Sequence, residues 1–170
     1  NQITVSMYGF VFLYIKLDAH GDFVWIKVIG DVDHDSGMDM VLDADQNLIL
    51  LAKETPASAV YKFDQNGGFV WYYSSDYSST TSPESIDVDS QGDIYVCGTY
   101  SDTVDFDNSV VEDLLIAAGS EDAFLLKLNS DGDYVWVKSF GGASGGAIGR
   151  ELKITSDGLK QFLADNWQKK

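Results

Sequence analysis

Several residue types are scarce in this chain, and each scarcity removes a class of answers. Cys97 is the single cysteine in 170 residues, so neither an intrachain disulfide framework nor a multi-cysteine zinc site can form. It sits in the apolar run Ile94-Tyr95-Val96-Cys97, where it reads as a small buried residue rather than a reactive thiol. Only 2 prolines occur against 16 glycines, so glycine must supply most of the turns. Basic residues are few: 11 Lys and Arg stand against 27 Asp and Glu, a net charge of −16. Such a surface repels nucleic acid and anionic membranes, whose phosphates call for clustered Lys and Arg. Long apolar runs are missing too. The longest, Tyr8 to Leu17, is interrupted by Lys16 and falls short of the roughly 18 to 20 residues of a spanning helix, so no membrane insertion is expected. No signal peptide is visible and the chain starts at Asn1, which reads as a processed or excised segment.

What is present is a repeat. A composition of 45% hydrophobic and 13% aromatic residues is enough for one domain with a sizeable core. The stretch Asn129 to Lys138, N-S-D-G-D-Y-V-W-V-K, has two recognisable copies, His20 to Lys27 and Asn66 to Tyr72. The lysine before each turn is Lys16, Lys62 or Lys127, with spacings of 46 (62 − 16) and 65 (127 − 62) residues. A second half-unit lies between these copies. Val41 to Leu50 aligns with Ile86 to Val96, Asn47 matching Gly92 at an offset of 45 (92 − 47), and a third version begins at Leu152. Asn and Gly share a tolerance of positive φ. Both half-units read as β-hairpins, short apolar runs joined by a few polar residues ending in Gly or Asn.

Two hairpins make a four-stranded antiparallel sheet of about 45 residues, too small to bury both faces alone. The expected solution is radial stacking as propeller blades, which run to roughly 40 to 50 residues each. The fold class is therefore all-β, with antiparallel β-propeller-type repeats and about three four-stranded blade equivalents over residues 1–158. The longer spacing is a blade with an insertion, Thr99 to Ala118, expected as an outer hairpin. In 159–170, Leu159, Phe162, Leu163 and Trp167 fall near one helical face, which predicts a short amphipathic C-terminal helix.

The run D-A-F-L-L-K-L-N-S-D-G-D-Y-V-W-V-K-S-F-G-G at Asp122 to Gly142 resembles the bacterial β-propeller repeat often called SBBP. So does I-D-V-D-S-Q-G-D-I-Y-V-C-G-T at Ile86 to Thr99. The resemblance covers most of residues 11–158. It implies a scaffold or binding role in a large secreted or cell-surface protein, and it brings no catalytic residues. About three blades are present where closed propellers have four to eight, so copies assemble into a ring or further blades complete it.

Few stretches carry candidate chemistry. In the acidic loop, Asp31, Asp33, Asp35 and Asp39 offer oxygen ligands for a cation such as calcium. Gly37 and Leu42 depart from the EF-hand spacing, and a polar inter-strand loop is the plainer reading. The Gly-rich stretch Gly141 to Arg150 lacks the spacing and the βαβ setting of a dinucleotide loop. His20 falls in a repeat turn, and no Ser/His/Asp arrangement stands out. Trp25, Trp71 and Trp136 recur once per copy, which favours packing between sheets over a sugar platform. In the Tyr/Ser run from Trp71 to Ser82, Tyr72, Tyr73 and Tyr77 are the candidate partner contacts.

The functional expectation is a non-enzymatic scaffold or recognition module, extracellular or on the cell surface, that meets a protein or glycan through inter-strand loops. Two alternatives stand beside it. One is a fragment of a larger propeller enzyme, a hydrolase or lyase with its catalytic residues elsewhere; the other is a purely structural repeat.

Overall fold

The computed structural model describes residues 12–30, 35–76, 80–109, 113–143, 146–155, 158 and 160–165. Among these residues every regular element is a strand. The strands run β1 (Phe12–Leu17), β2 (Phe23–Ile29), β3 (Ser36–Leu42), β4 (Leu48–Glu54), β5 (Ala57–Phe63) and β6 (Phe69–Ser74). They continue with β7 (Thr81–Val88), β8 (Ile94–Tyr100), β9 (Thr103–Asp105) and β10 (Leu114–Ile116). The last four are β11 (Asp122–Leu128), β12 (Tyr134–Phe140), β13 (Ile148–Ile154) and β14 (Lys160–Asp165).

All pairings are antiparallel, and the half-units seen in the sequence are the hairpins. The Trp hairpins are β1–β2, β5–β6 and β11–β12, with Lys16 opposite Trp25, Lys62 opposite Trp71 and Lys127 opposite Trp136. Each has a register shift just after its lysine, so one irregularity is repeated three times. The other half-unit forms β3–β4, β7–β8 and β13–β14. The two kinds of hairpin join into two four-stranded sheets, β3-β4-β5-β6 and β7-β8-β11-β12, the second and third in chain order; the two-stranded sheets β1-β2 and β13-β14 are the first and fourth. The expected insertion is the hairpin β9–β10, lying between β8 and β11 in the chain.

One turn chemistry serves five of the six hairpins. The first turn residue is Asp18, Asp43, Asp64, Asp89 or Asn129. Its Oδ1 accepts the backbone N–H groups two and four residues on, over 2.7–3.1 Å. This explains why carboxylates crowd the turns: a side-chain acceptor replaces backbone partners that a tight turn cannot provide. The fourth turn position takes positive φ in Gly21 (84), Gln46 (62), Gly67 (81), Gly92 (83) and Gly132 (87). The match expected between Asn47 and Gly92 is therefore off by one residue. Gln46 is the equivalent of Gly92, and Asn47 is bound through its N–H and its side-chain amide to Asp43.

The C-terminal helix is not formed. Lys160–Asp165 is β14, with Ile154 opposite Lys160 and Leu152 opposite Phe162. Phe162 enters the cluster of Tyr95, Cys97 and Leu152 and meets the Phe140 ring at a centroid distance of 5.2 Å. Packing on the neighbouring sheet decides the conformation of this short segment, against its helical spacing. Leu159 and Trp167 lie outside the described residues.

The core occupies three seams between consecutive sheets. In the first, Phe12, Tyr14, Trp25 and Ile29 of the opening hairpin meet Leu48, Leu50 and Phe63. The second and largest joins Ile49, Leu51, Val60 and Tyr73 to Ile94, Val96, Phe124 and Leu126. The third sets Tyr95, Cys97, Leu125 and Trp136 against Leu152, Ile154 and Phe162. Strand alternation explains why each whole sheet feeds two seams: successive residues of β4 and β8 point to opposite faces, and Leu48 to Ala52 and Ile94 to Cys97 are all apolar and buried.

Candidate functional site

The two whole sheets are equivalent along their length, so a position that differs between them is informative. Tyr72 of β6 and Val137 of β12 occupy one register position, opposite Tyr61 and Leu126 respectively. Phe69 and Tyr134 are likewise equivalent, opposite Phe63 and Leu128. In the third sheet these positions are covered. Leu115 and Ala117, at the β10 hairpin, pack into the cluster that holds Val137 and Tyr134, and the Tyr134 hydroxyl donates to Asp113. Val137 is only 6% exposed.

In the second sheet no such hairpin is inserted, because β4 passes to β5 through Thr55 and Pro56. Tyr72 is 40% exposed and Phe69 63% exposed. They continue a band of rings: Tyr61 and Tyr72 stand 4.9 Å apart, Tyr61 and Phe63 6.1 Å, and Phe63 and Phe69 6.2 Å between centroids. Glu54 anchors this ledge. Its Oε2 accepts the Tyr72 hydroxyl at 2.7 Å, and its Oε1 accepts the hydroxyl of Tyr61. The ledge thus offers apolar ring faces held in place by a carboxylate that binds two of their hydroxyls. The Tyr/Ser run pointed to Tyr72; Phe69, Tyr61 and Glu54 were missed, because only the missing cover of this sheet makes them a surface.

The other expected site residues are placed as follows. Tyr73 is fully buried, with its hydroxyl donating to the Phe106 carbonyl at 2.6 Å. It belongs to the core, not to a contact surface, because strand alternation turns it away from Tyr72. Tyr77 lies outside the described residues, as do Asp31 and Asp33. Asp39 spans two sheets: its Oδ1 accepts the Met40 N–H, and its Oδ2 accepts the Ser85 hydroxyl and the Ile86 N–H, both at 3.0 Å. Asp35 lies against Gly30, where an added Cβ would fall 2.6 Å from its Oδ2. Among the described residues, no group of three or more His, Cys, Asp and Glu side chains is placed to hold a metal ion.

No known family model and no curated protein matches this chain. Function must be read from the geometry. The buried Cys97 has its thiol pushed up to about 12 by burial, which leaves it in the unreactive thiol form near neutral pH. His20 is exposed in a turn, its ring 3.9 Å from Asp18. Trp25 and Trp71 pack between sheets: the Trp71 indole donates to the Ser130 carbonyl at 3.2 Å, and the Trp25 ring lies 3.2 Å from the point a Cβ would take at Gly67. Among the described residues no helix is long and apolar enough to cross a membrane.

Proposed function

We propose that the chain is a non-enzymatic recognition module of a secreted or cell-surface protein, its sheets set radially as propeller blades of the SBBP type. The ligand class is a glycan, held on the ledge of Tyr72, Phe69, Tyr61 and Glu54. The observation that carries this reading is the exposure of Tyr72 and Phe69 at positions that the third sheet covers. Aromatic faces stack on the C–H faces of sugar rings, and the Glu54 carboxylate fixes Tyr61 and Tyr72 through their hydroxyls. Rigid strands hold the ledge, so little ordering entropy opposes binding. Support for the radial arrangement comes from the inner strands β3, β7 and β13, which adjoin one another in series.

A glycan array probed with the native chain and with Tyr72→Ala tests the reading. Expected are hits for the native chain and a loss of at least about tenfold in affinity for the variant, the equivalent of roughly 1.4 kcal/mol. An array without hits, or equal binding by both proteins, sinks the glycan assignment. Hydrolysis of any bound glycan by the chain sinks the non-enzymatic one.

A further inference from the structure

Each whole sheet is one inner hairpin joined to one Trp hairpin, through β4–β5 in one case and β8–β11 in the other. The flanking hairpins are the two unjoined halves of such a sheet. Among the described residues, β1–β2 is a Trp hairpin without an inner hairpin, and β13–β14 is an inner hairpin without a Trp hairpin. Among the described residues, the free edges of β1 and β14 have no strand beside them. An unpaired edge is a row of backbone donors and acceptors that templates another strand.

Side chains at the two edges tell the same story. Leu163 of β14 is 55% exposed, whereas its equivalents, Leu51 and Cys97, are fully buried. On β1, Leu17 is 54% exposed, whereas its equivalents, Phe63 and Leu128, are buried in seams. Met40 of β3 is 56% exposed where its equivalents, Ile86 and Leu152, are buried; it faces the place of the inner hairpin that β1–β2 lacks. The turns agree. An added Cβ at Gly67 would lie 3.2 Å from the Trp25 ring, and one at Gly132 would lie 2.7 Å from the Trp71 ring. Each tryptophan thus packs on the turn of the next Trp hairpin. Gly21 has nothing within 4 Å of the same point, and Trp136 has no following Trp hairpin among the described residues.

We infer that two copies of this chain join as a closed ring, β14 of each copy pairing antiparallel with β1 of the other. The register follows from the internal joints. Ile49 opposes Lys62 and Tyr95 opposes Lys127, which sets Gln161 opposite Lys16, Phe162 opposite Ile15 and Leu163 opposite Tyr14. Trp136 of one copy then covers Gly21 of the other, and the inner hairpin of the second copy covers Met40. The number of copies comes from closure. The described residues of one copy hold two whole sheets and two halves, three equivalents; those of two copies make about six, within the four to eight of closed propellers, and those of three would exceed it. A head-to-tail contact that closes ends assembly, and one that does not close gives a filament. This inference rests on the radial arrangement proposed above.

The test uses the full chain in sedimentation and in directed cross-linking. Sedimentation should give twice the 18.7 kDa chain mass. Mild oxidation of an equimolar mixture of Tyr14→Cys and Leu163→Cys chains should give a disulfide-linked pair, since opposed strand residues lie within the reach of a disulfide. Either variant oxidised alone should give none, because Cys97 is buried. Leu163→Asp should sediment as a monomer with an unchanged far-ultraviolet strand signal. A native chain that sediments as a compact folded monomer overturns the two-copy ring and leaves the radial arrangement standing. An open ladder of oligomers overturns both. Glycan binding is read separately, so its loss or survival does not decide this result.

Discussion

The second and third sheets are built from the same two hairpins, yet one carries an open aromatic ledge and the other a closed wall. One difference between them is an insertion. β9–β10 fills the periphery of the second seam, where Val104 and Phe106 are fully buried and Leu115 and Ala117 pack against them. Among the described residues the first seam has no such filler, and its rings Tyr72 and Phe69 reach solvent. An insertion between equivalent strands can therefore turn a recognition surface into core without altering the sheet beneath it. The covered sheet is the more heavily anchored one, and the open one keeps the groups that can meet a ligand.

The largest effect expected from breaking this comparison is at Phe106. Its ring packs at 4.8 Å from Phe124 and 6.1 Å from Tyr100, so Phe106→Ala should cost about 3–5 kcal/mol in urea unfolding. Tyr72→Ala, on the uncovered sheet, should cost far less in the same measurement. The second contrast lies within one strand. Tyr73→Phe leaves the buried Phe106 carbonyl without its donor and should cost about 1–3 kcal/mol, whereas Tyr72→Phe, half exposed, should stay within about 0.5 kcal/mol. Equal losses would show that the two hydroxyls are buried alike.

The smallest and most specific contrast is in pH. In the second sheet Lys62 bonds the Asp43 carboxylate at 3.0 Å, both side chains nearly enclosed. Burial opposes the charge on Asp43, but the bonds from Asn47 and Lys62 outweigh it and hold its carboxyl below the usual value. A depressed carboxylate stabilises the fold above its unfolded value of about 3.9, and that contribution fades as pH falls through the folded value. In the third sheet the equivalent Lys127 bonds Asp93 at 2.5 Å, and this bond raises its pKa. A raised lysine contributes fully below its unfolded value of about 10.4, and the contribution is lost as pH rises through the folded one. Unfolding midpoints followed across pH should show Asp43→Asn flattening the acid limb and Lys127→Met flattening the alkaline limb. The reverse assignment would refute both.

Much of the architecture was legible in the chain. Strand alternation, the Gly-bearing turns and the threefold Lys–Trp spacing predict hairpins of two kinds in the order the structure has them, and the 65-residue gap predicts the inserted hairpin. The exact turn equivalence was not legible, because Gln46 takes positive φ while Asn47 beside it looks the better candidate. Nor was β14, whose apolar residues fit a helix as well as a strand until Phe140 and Leu152 supply a surface for Phe162. Of the expected contact residues, Tyr72 lies on the ledge and Tyr73 in the core, although they are adjacent in the same run.

Local chemistry sufficed for the hairpins because turn geometry and alternation act over a few residues and repeat. It could not choose which faces are covered. Exposure depends on what a distant segment places over a strand, and Phe69 and Tyr134 are nearly alike in sequence context. The packing of β9–β10 makes a wall of the sheet that carries it, and its absence from the other leaves the ledge of Tyr72 and Phe69. The exposure at β1 and β14 arises in the same way: each strand has an ordinary repeat sequence, and only the spatial neighbours among the described residues leave Leu17 and Leu163 exposed where their equivalents are buried.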